Sequence, residues 1–222
     1  PVAAHERAAE RAGGPGPTAA FAGDLTLREA VRTRAYWLIG VAMSLVFFAG
    51  GSINFHQIPH LIDHGVPRTE AALVVTVFSL VGAGGGLIGG ALAARRGVRA
   101  TMAVALFGMS GGVLLLVNAA SVPAAMLYAV VYGGFFGAMS ALSEVLYADY
   151  FGRASVGLIR GSIQPAQLGM NAIGPFATGL WYVATGSYTM PFLVFAVFFL
   201  VAGGALALAP RPRAAVERAR PG

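Results

Sequence analysis

Four polar side chains, Gln164, Gln167, Asn171 and Thr178, fall at intervals of three, four and seven within an otherwise apolar run. On a helix those intervals make one stripe. Amides and a hydroxyl offer neutral donors and acceptors, so the stripe suits hydrogen bonding to a polar solute. Counted from Ser162, Asn171 lies about 14 Å along the helix, near the middle of a bilayer. Two roles fit: lining a cavity, or bridging packed helices through amides. Gly174 and Pro175 follow on the same helix. Proline removes a backbone donor and kinks a helix, so this pair is the candidate hinge.

Three further groups carry chemistry. Tyr128, Tyr132, Phe136 and Ser140 follow steps of four. They form either one wall of the same cavity or an aromatic packing row. Asn54, His56 and His60 sit at the end of another apolar run. Histidine titrates near neutral pH, so proton coupling is one role and a polar interfacial layer is the other. The third group is SALSEVLYADYFGRAS, residues 140–155, which ends a charge-free run from Ala100 to Ser143. Counted from Ala124, Glu144 is about 30 Å along a helix, at a membrane boundary. That depth favours an inner gate over a mid-membrane proton carrier. Asp149 and Arg153 are four apart and can pair on a continuing helix, while Arg160 can reach Glu144 or Asp149 across the loop.

No His, Cys and carboxylate grouping has metal-ligand spacing, and no Ser, His and Asp share one depth. No phosphate-cradling loop of the G-x-x-x-x-G-K-[ST] type is present. The sequence therefore predicts no enzyme, no metal and no cofactor.

The elements that must position these groups are membrane spans. The 222 residues are 57% hydrophobic and 11% charged, the latter about half the usual share of a soluble domain. Charge-free runs of about 20 residues fit a bilayer core. They predict an all-α membrane protein with six transmembrane helices, at about 36–54, 71–94, 101–117, 124–143, 162–184 and 192–209. NAASVP (118–123) and TGSYTMP (185–191) are the breaks within the two longest runs. Fourteen of the fifteen arginines then fall on one side and only Arg68 on the other. That asymmetry predicts cytoplasmic termini, and it explains the net charge of +6 without nucleic acid. Residues 1–23 read as a flexible linker and 211–222 as a basic tail. Thr26 and Glu29 fit a capping box that opens a short surface helix before the first span. Gly82, Gly86 and Gly90, with Gly85 and Gly89, and Gly133 with Gly137, form rows that let helices approach closely. Spans three and six are the blandest, span six without any hydrogen-bonding side chain, and both read as lipid-facing or peripheral. Spans one, four and five carry polar residues and are expected to line any cavity.

Several stretches together resemble one family. DLTLREAVRTRAYW, GGSINFHQIPHLIDHG, GGALAARRGVR, YADYFGR, IRG and GPFATGLWYVATGSY are similar to the C-terminal six-helix half of a major facilitator superfamily transporter. The nearest branch is the oxalate/formate and monocarboxylate type, and the resemblance spans residues 24–210. Gly90, Arg95, Gly97 and Arg99 match the loop motif G-x-x-x-D-R-x-G-R-R, which assigns them a gating role. Ala94 stands in place of its Asp, Val98 in place of an Arg, and Val183 where Asp is frequent. The resemblance implies one bundle built as a 3+3 inverted repeat. It implies a second six-helix bundle as partner, a small organic solute, and alternating access with proton symport or antiport. It also implies residence in a bacterial cytoplasmic membrane. On this view the chain is half of a transporter. The alternative is a six-span structural subunit that moves nothing.

Overall fold

The computed structural model describes residues 25–153 and 155–209, and those residues fold into helices without strands. The expected linker and tail lie outside them. A four-residue helix α1 (Leu27–Ala30) precedes six long ones: α2 (Arg34–Asp63), α3 (Arg68–Arg96), α4 (Val98–Val117), α5 (Val122–Phe151), α6 (Val156–Thr185) and α7 (Thr189–Leu208). The capping box is complete. Thr26 Oγ1 accepts from the Glu29 amide at 3.3 Å, and Glu29 Oε2 accepts from the Thr26 amide at 2.9 Å. Thr33 then caps α2 through the Tyr36 amide at 3.2 Å.

Several helices outrun the charge-free runs. α2 continues past Asn54 to Asp63, through Pro59, and α5 continues past Ser143 to Phe151. Backbone bonding needs no apolar side chain, so a helix can extend beyond the bilayer core. Five helices, α2 to α5 and α7, are long and apolar enough to cross a membrane. The sixth expected span, α6, matches α2 and α5 in length at 30 residues but falls outside that set. Its Gln164, Gln167 and Asn171 lower its mean hydropathy while its length still suffices.

The main packing pairs are α3 with α5, α4 with α5, α4 with α7, α2 with α6 and α2 with α7. Exchanging α2, α3 and α4 for α5, α6 and α7 in order leaves this set unchanged. Glycine sets the α3–α5 crossing. A Cβ on Gly85 or Gly137 would collide with the carbonyl of Gly134 or Gly82. α4, expected to be peripheral, is the most buried of the five apolar spans, and α3 is the least. A largely apolar sequence does not distinguish a lipid-facing helix from a core one, because lipid and core are both apolar. Ser110 Oγ donates to the Ala196 carbonyl at 2.9 Å and helps hold α4 to α7.

Only Gly97 separates α3 from α4. Its φ of +86° and ψ of 148° lie in a region open essentially to glycine alone. Arg99, two residues on, donates to the Ala207 carbonyl at the end of α7. Tyr150 Oη donates to the Ala209 carbonyl at 3.3 Å, and the Leu25 amide donates to the Phe151 carbonyl at 2.9 Å. These contacts gather the starts of α2, α4 and α6 and the ends of α3, α5 and α7 at one end. Most of the described arginines lie there, and Arg68 alone lies at the other.

Candidate functional site

α2, α5 and α6 enclose a small cleft of about 100 Å³ with polar groups on its walls. Asn54 comes from α2, Phe136, Ser140 and Ser143 from α5, and Asn171 from α6. Asn171 is the sixteenth residue of the 30-residue α6, at its midpoint. Its place depends on Gly51. A Cβ there would come within 2.5 Å of Asn171 Oδ1 and 2.8 Å of the Asn171 carbonyl oxygen. That carbonyl has lost its ordinary helical donor, because Pro175 stands four residues on. Local sequence therefore presents two polar atoms of Asn171 to one spot, and a glycine leaves room for them.

Phe136 and Ser140 also line a second cleft, of about 460 Å³, between α3 and α5. Ser79 and the backbone of Gly82 and Gly86 form its far wall. The two clefts share Phe136 and Ser140 and make one exposed face across α3, α5, α2 and α6, mainly apolar with polar groups at Asn54, Ser79, Ser140, Ser143 and Asn171. No arginine, aspartate or glutamate lines either. The arrangement can bind by neutral hydrogen bonds from amide and hydroxyl groups, with Phe136 as an apolar surface. A cleft of about 270 Å³ between α3, α4 and α5 is lined almost wholly by apolar residues and offers no such chemistry.

The stripe on α6 divides. Asn171 enters the cleft. Gln167 is buried and donates through Nε2 to Tyr147 Oη at 2.8 Å, tying α6 to α5. Thr178 is buried and donates to the Gly174 carbonyl at 2.9 Å. Gln164 is exposed and lies outside the cleft. A helical stripe fixes an angle, but the neighbouring helices are not equally near along its length.

Tyr132 does not line the cavity. It is fully buried, stacked on Tyr128 at 5.5 Å and on Phe78 at 5.8 Å between ring centroids. Steps of four drift around α5, so Phe136 and Ser140 face the cleft while Tyr132 has turned into the bundle. Tyr128 Oη donates to Gln57 Oε1 at 2.8 Å. His56 is not a cleft residue either. Its Nε2 is 3.0 Å from the Pro175 carbonyl oxygen, and its ring lies 5.0 Å from that of Tyr188. His60 is buried with Nε2 3.1 Å from the Leu116 carbonyl oxygen.

At the proposed hinge, Gly174 is a tight crossing point. A Cβ there would strike the Phe48 carbonyl and Ser52 Oγ of α2. Pro175 lies within continuous helix. In the loop motif, Gly90 has open space around its Cα and Arg95 is exposed. At the basic end, Glu144 and Arg160 form an ion pair between α5 and α6. Asp149 and Arg153 are exposed at the same end.

Tyr147, Ser143 and Gly51 belong to this region but were not among the candidates from sequence. Signals for them existed. Tyr147 is seven residues from Ser140, on the same helical face, and Gly51 belongs to a Gly-Gly pair beside Ser52.

No curated protein is similar enough to the chain to count as a match. The family model of the Major Facilitator Superfamily matches residues 35–222, from the first turn of α2 onward. With its apolar helices, the chain belongs to the major facilitator superfamily and is an integral membrane protein of a transporter family.

Proposed function

We propose that this bundle is half of a secondary transporter that moves a small organic solute by alternating access. The observation that carries this reading is the polar cleft at the midpoint of α6, open on a face that no other described residue covers. Polar groups at membrane depth are costly unless they meet protein or water. A second six-helix bundle against the α3, α5, α2 and α6 face would satisfy them and close a cavity between the halves. The exchange pattern of the packing pairs supports a 3+3 inverted repeat with α6 as a true span. Asn171, Asn54, Ser140 and Phe136 then contact the solute. Glu144 and Arg160 act as a latch at the cytoplasmic mouth, beside Arg95 and Arg99 of the loop motif. Gly174 and Pro175 let α6 flex. The solute belongs to the oxalate, formate or monocarboxylate class only if the other half supplies the cation, since this cleft contains none. Coupling to protons or to a counter-solute, cytoplasmic termini and a bacterial cytoplasmic membrane complete the proposal.

Asn171→Leu, made in the transport-competent full-length protein, tests it. The expected outcome is a rise in KM of about tenfold with unchanged membrane abundance, the effect of losing one to two hydrogen bonds. Unchanged affinity and turnover would favour a structural subunit. The buried, bonded state of Gln167 and Thr178 is the observation on that side.

A further inference from the structure

On the opposite side of the bundle, α2 and α7 frame a groove of about 480 Å³ that is almost entirely apolar. Leu38, Val41 and Leu45 form one wall, and Val201 forms the other. Ala202 and Ala205 form a low floor, because their side chains are too short to fill it. From Arg34 to Leu45 the groove follows α2 for about 16 Å, the depth of roughly one leaflet's hydrocarbon.

Its mouth at the basic end is not apolar. Arg34, the first residue of α2, lines it and is exposed. Among the described residues, Arg34 enters no ion pair, whereas Arg160 is paired and Arg99 is engaged by the Ala207 carbonyl. Trp37 stands beside it, 62% exposed, with its indole Nε1 donating to the Val31 carbonyl at 3.0 Å. That bond fixes the ring at the depth where tryptophan marks a membrane interface. A free cation, an anchored indole and an apolar channel one leaflet deep are thus aligned in the order of a lipid's headgroup, glycerol region and chain.

We propose that this groove is a binding site for an anionic phospholipid, with the phosphate on Arg34 and one acyl chain between α2 and α7. The site lies away from the solute cleft and does not depend on that reading. A neutral lipid can lay a chain in the groove but gains less from the guanidinium. Free phosphate matches the cation but not the channel.

The test uses the full-length protein in mild detergent, with lipid occupancy measured by native mass spectrometry. Phosphatidylglycerol, phosphatidylcholine and inorganic phosphate are titrated separately. Phosphatidylglycerol should bind more tightly than phosphatidylcholine, and phosphate should not compete. Arg34→Gln, at an exposed position, should weaken phosphatidylglycerol about fivefold, one interfacial cation's effect, and leave phosphatidylcholine unchanged. Arg68→Gln, at the other end, should change neither. Ala205→Phe, which raises the groove floor, should weaken both lipids; its fold is checked by melting temperature. Equal affinity for the two lipids, or an Arg34→Gln protein that keeps full phosphatidylglycerol affinity, would overturn the proposal. So would competition by phosphate, or Ala205→Phe binding that matches the parent.

Discussion

The amide of Gln167 is buried 2.8 Å from the Tyr147 hydroxyl, and neither group has water as an alternative. Breaking one side of such a pair leaves a polar group unsatisfied, which costs more than the bond is worth. Tyr147→Phe should therefore destabilise the protein by about 1 kcal/mol, at the level found for interhelical bonds in membranes. The double variant Tyr147→Phe with Gln167→Leu should recover most of that loss. Melting temperatures of the two variants check this, and solute affinity should stay level throughout, because neither side chain lines the cleft. The contrast with Asn171 shows what the sequence can tell at this scale. Gln164, Gln167, Asn171 and Thr178 share a face, and that much was legible from spacing. Which of them meets a tyrosine, a cleft or open space depends on how α2 and α5 diverge from α6, which spacing along one helix does not encode. Tyr132 makes the same point, since Phe78 on a different helix draws it inward.

At the scale of elements, glycine rows decide which helices touch. Gly82, Gly86 and Gly90 look equivalent along α3, but their surroundings differ. A Cβ at Gly82 or Gly86 would lie 3.4 Å from a backbone oxygen of α5, and one at Gly90 would meet nothing within 4 Å. Across the crossing, a Cβ on Gly137 would overlap the Gly82 carbonyl. Gly137→Ala should then force α3 and α5 apart and cost about 1–3 kcal/mol, the range of overpacked cores. Gly90→Ala should be neutral or stabilising by a few tenths of a kcal/mol, since alanine favours helix over glycine. Thermal melts of the two variants separate these outcomes, and equal melts would remove the α3–α5 crossing as the tight contact. Breaks and caps were the more legible features. Thr26 with Glu29 announces α1, and the turns at 118–121 and 186–188 fall within the two predicted breaks. Those signals are local, carried by a few adjacent residues. The burial of α4 was not legible, because an apolar run looks the same against lipid and against protein.

At the scale of the whole molecule, most of the main packing pairs join helices that are not neighbours in sequence. α5 packs on α3 and α4, and α6 packs on α2, so α5 and α6 have little direct packing despite being joined by a short loop. Glu144 and Arg160 reach across that weakly packed seam. The side chains are 52% and 34% exposed, so the pair is screened and contributes at most about 1 kcal/mol. A latch must have about that strength: a much stronger one would lock the mouth, and a weaker one would not bias it. Neutralising Glu144 to Gln should therefore shift the inward–outward balance by up to about fivefold toward the open basic end. The sequence contains no cysteine, so Ser140→Cys adds a single thiol to it inside the cleft. Labelling of that thiol by an impermeant maleimide from the basic side should accelerate when Glu144→Gln is added, and Arg160→Gln should act in the same direction. A shared direction follows from pairing, because either change removes the same attraction. If Glu144→Gln instead abolished proton coupling without altering labelling, the carboxylate would be a proton carrier and its contact with Arg160 incidental.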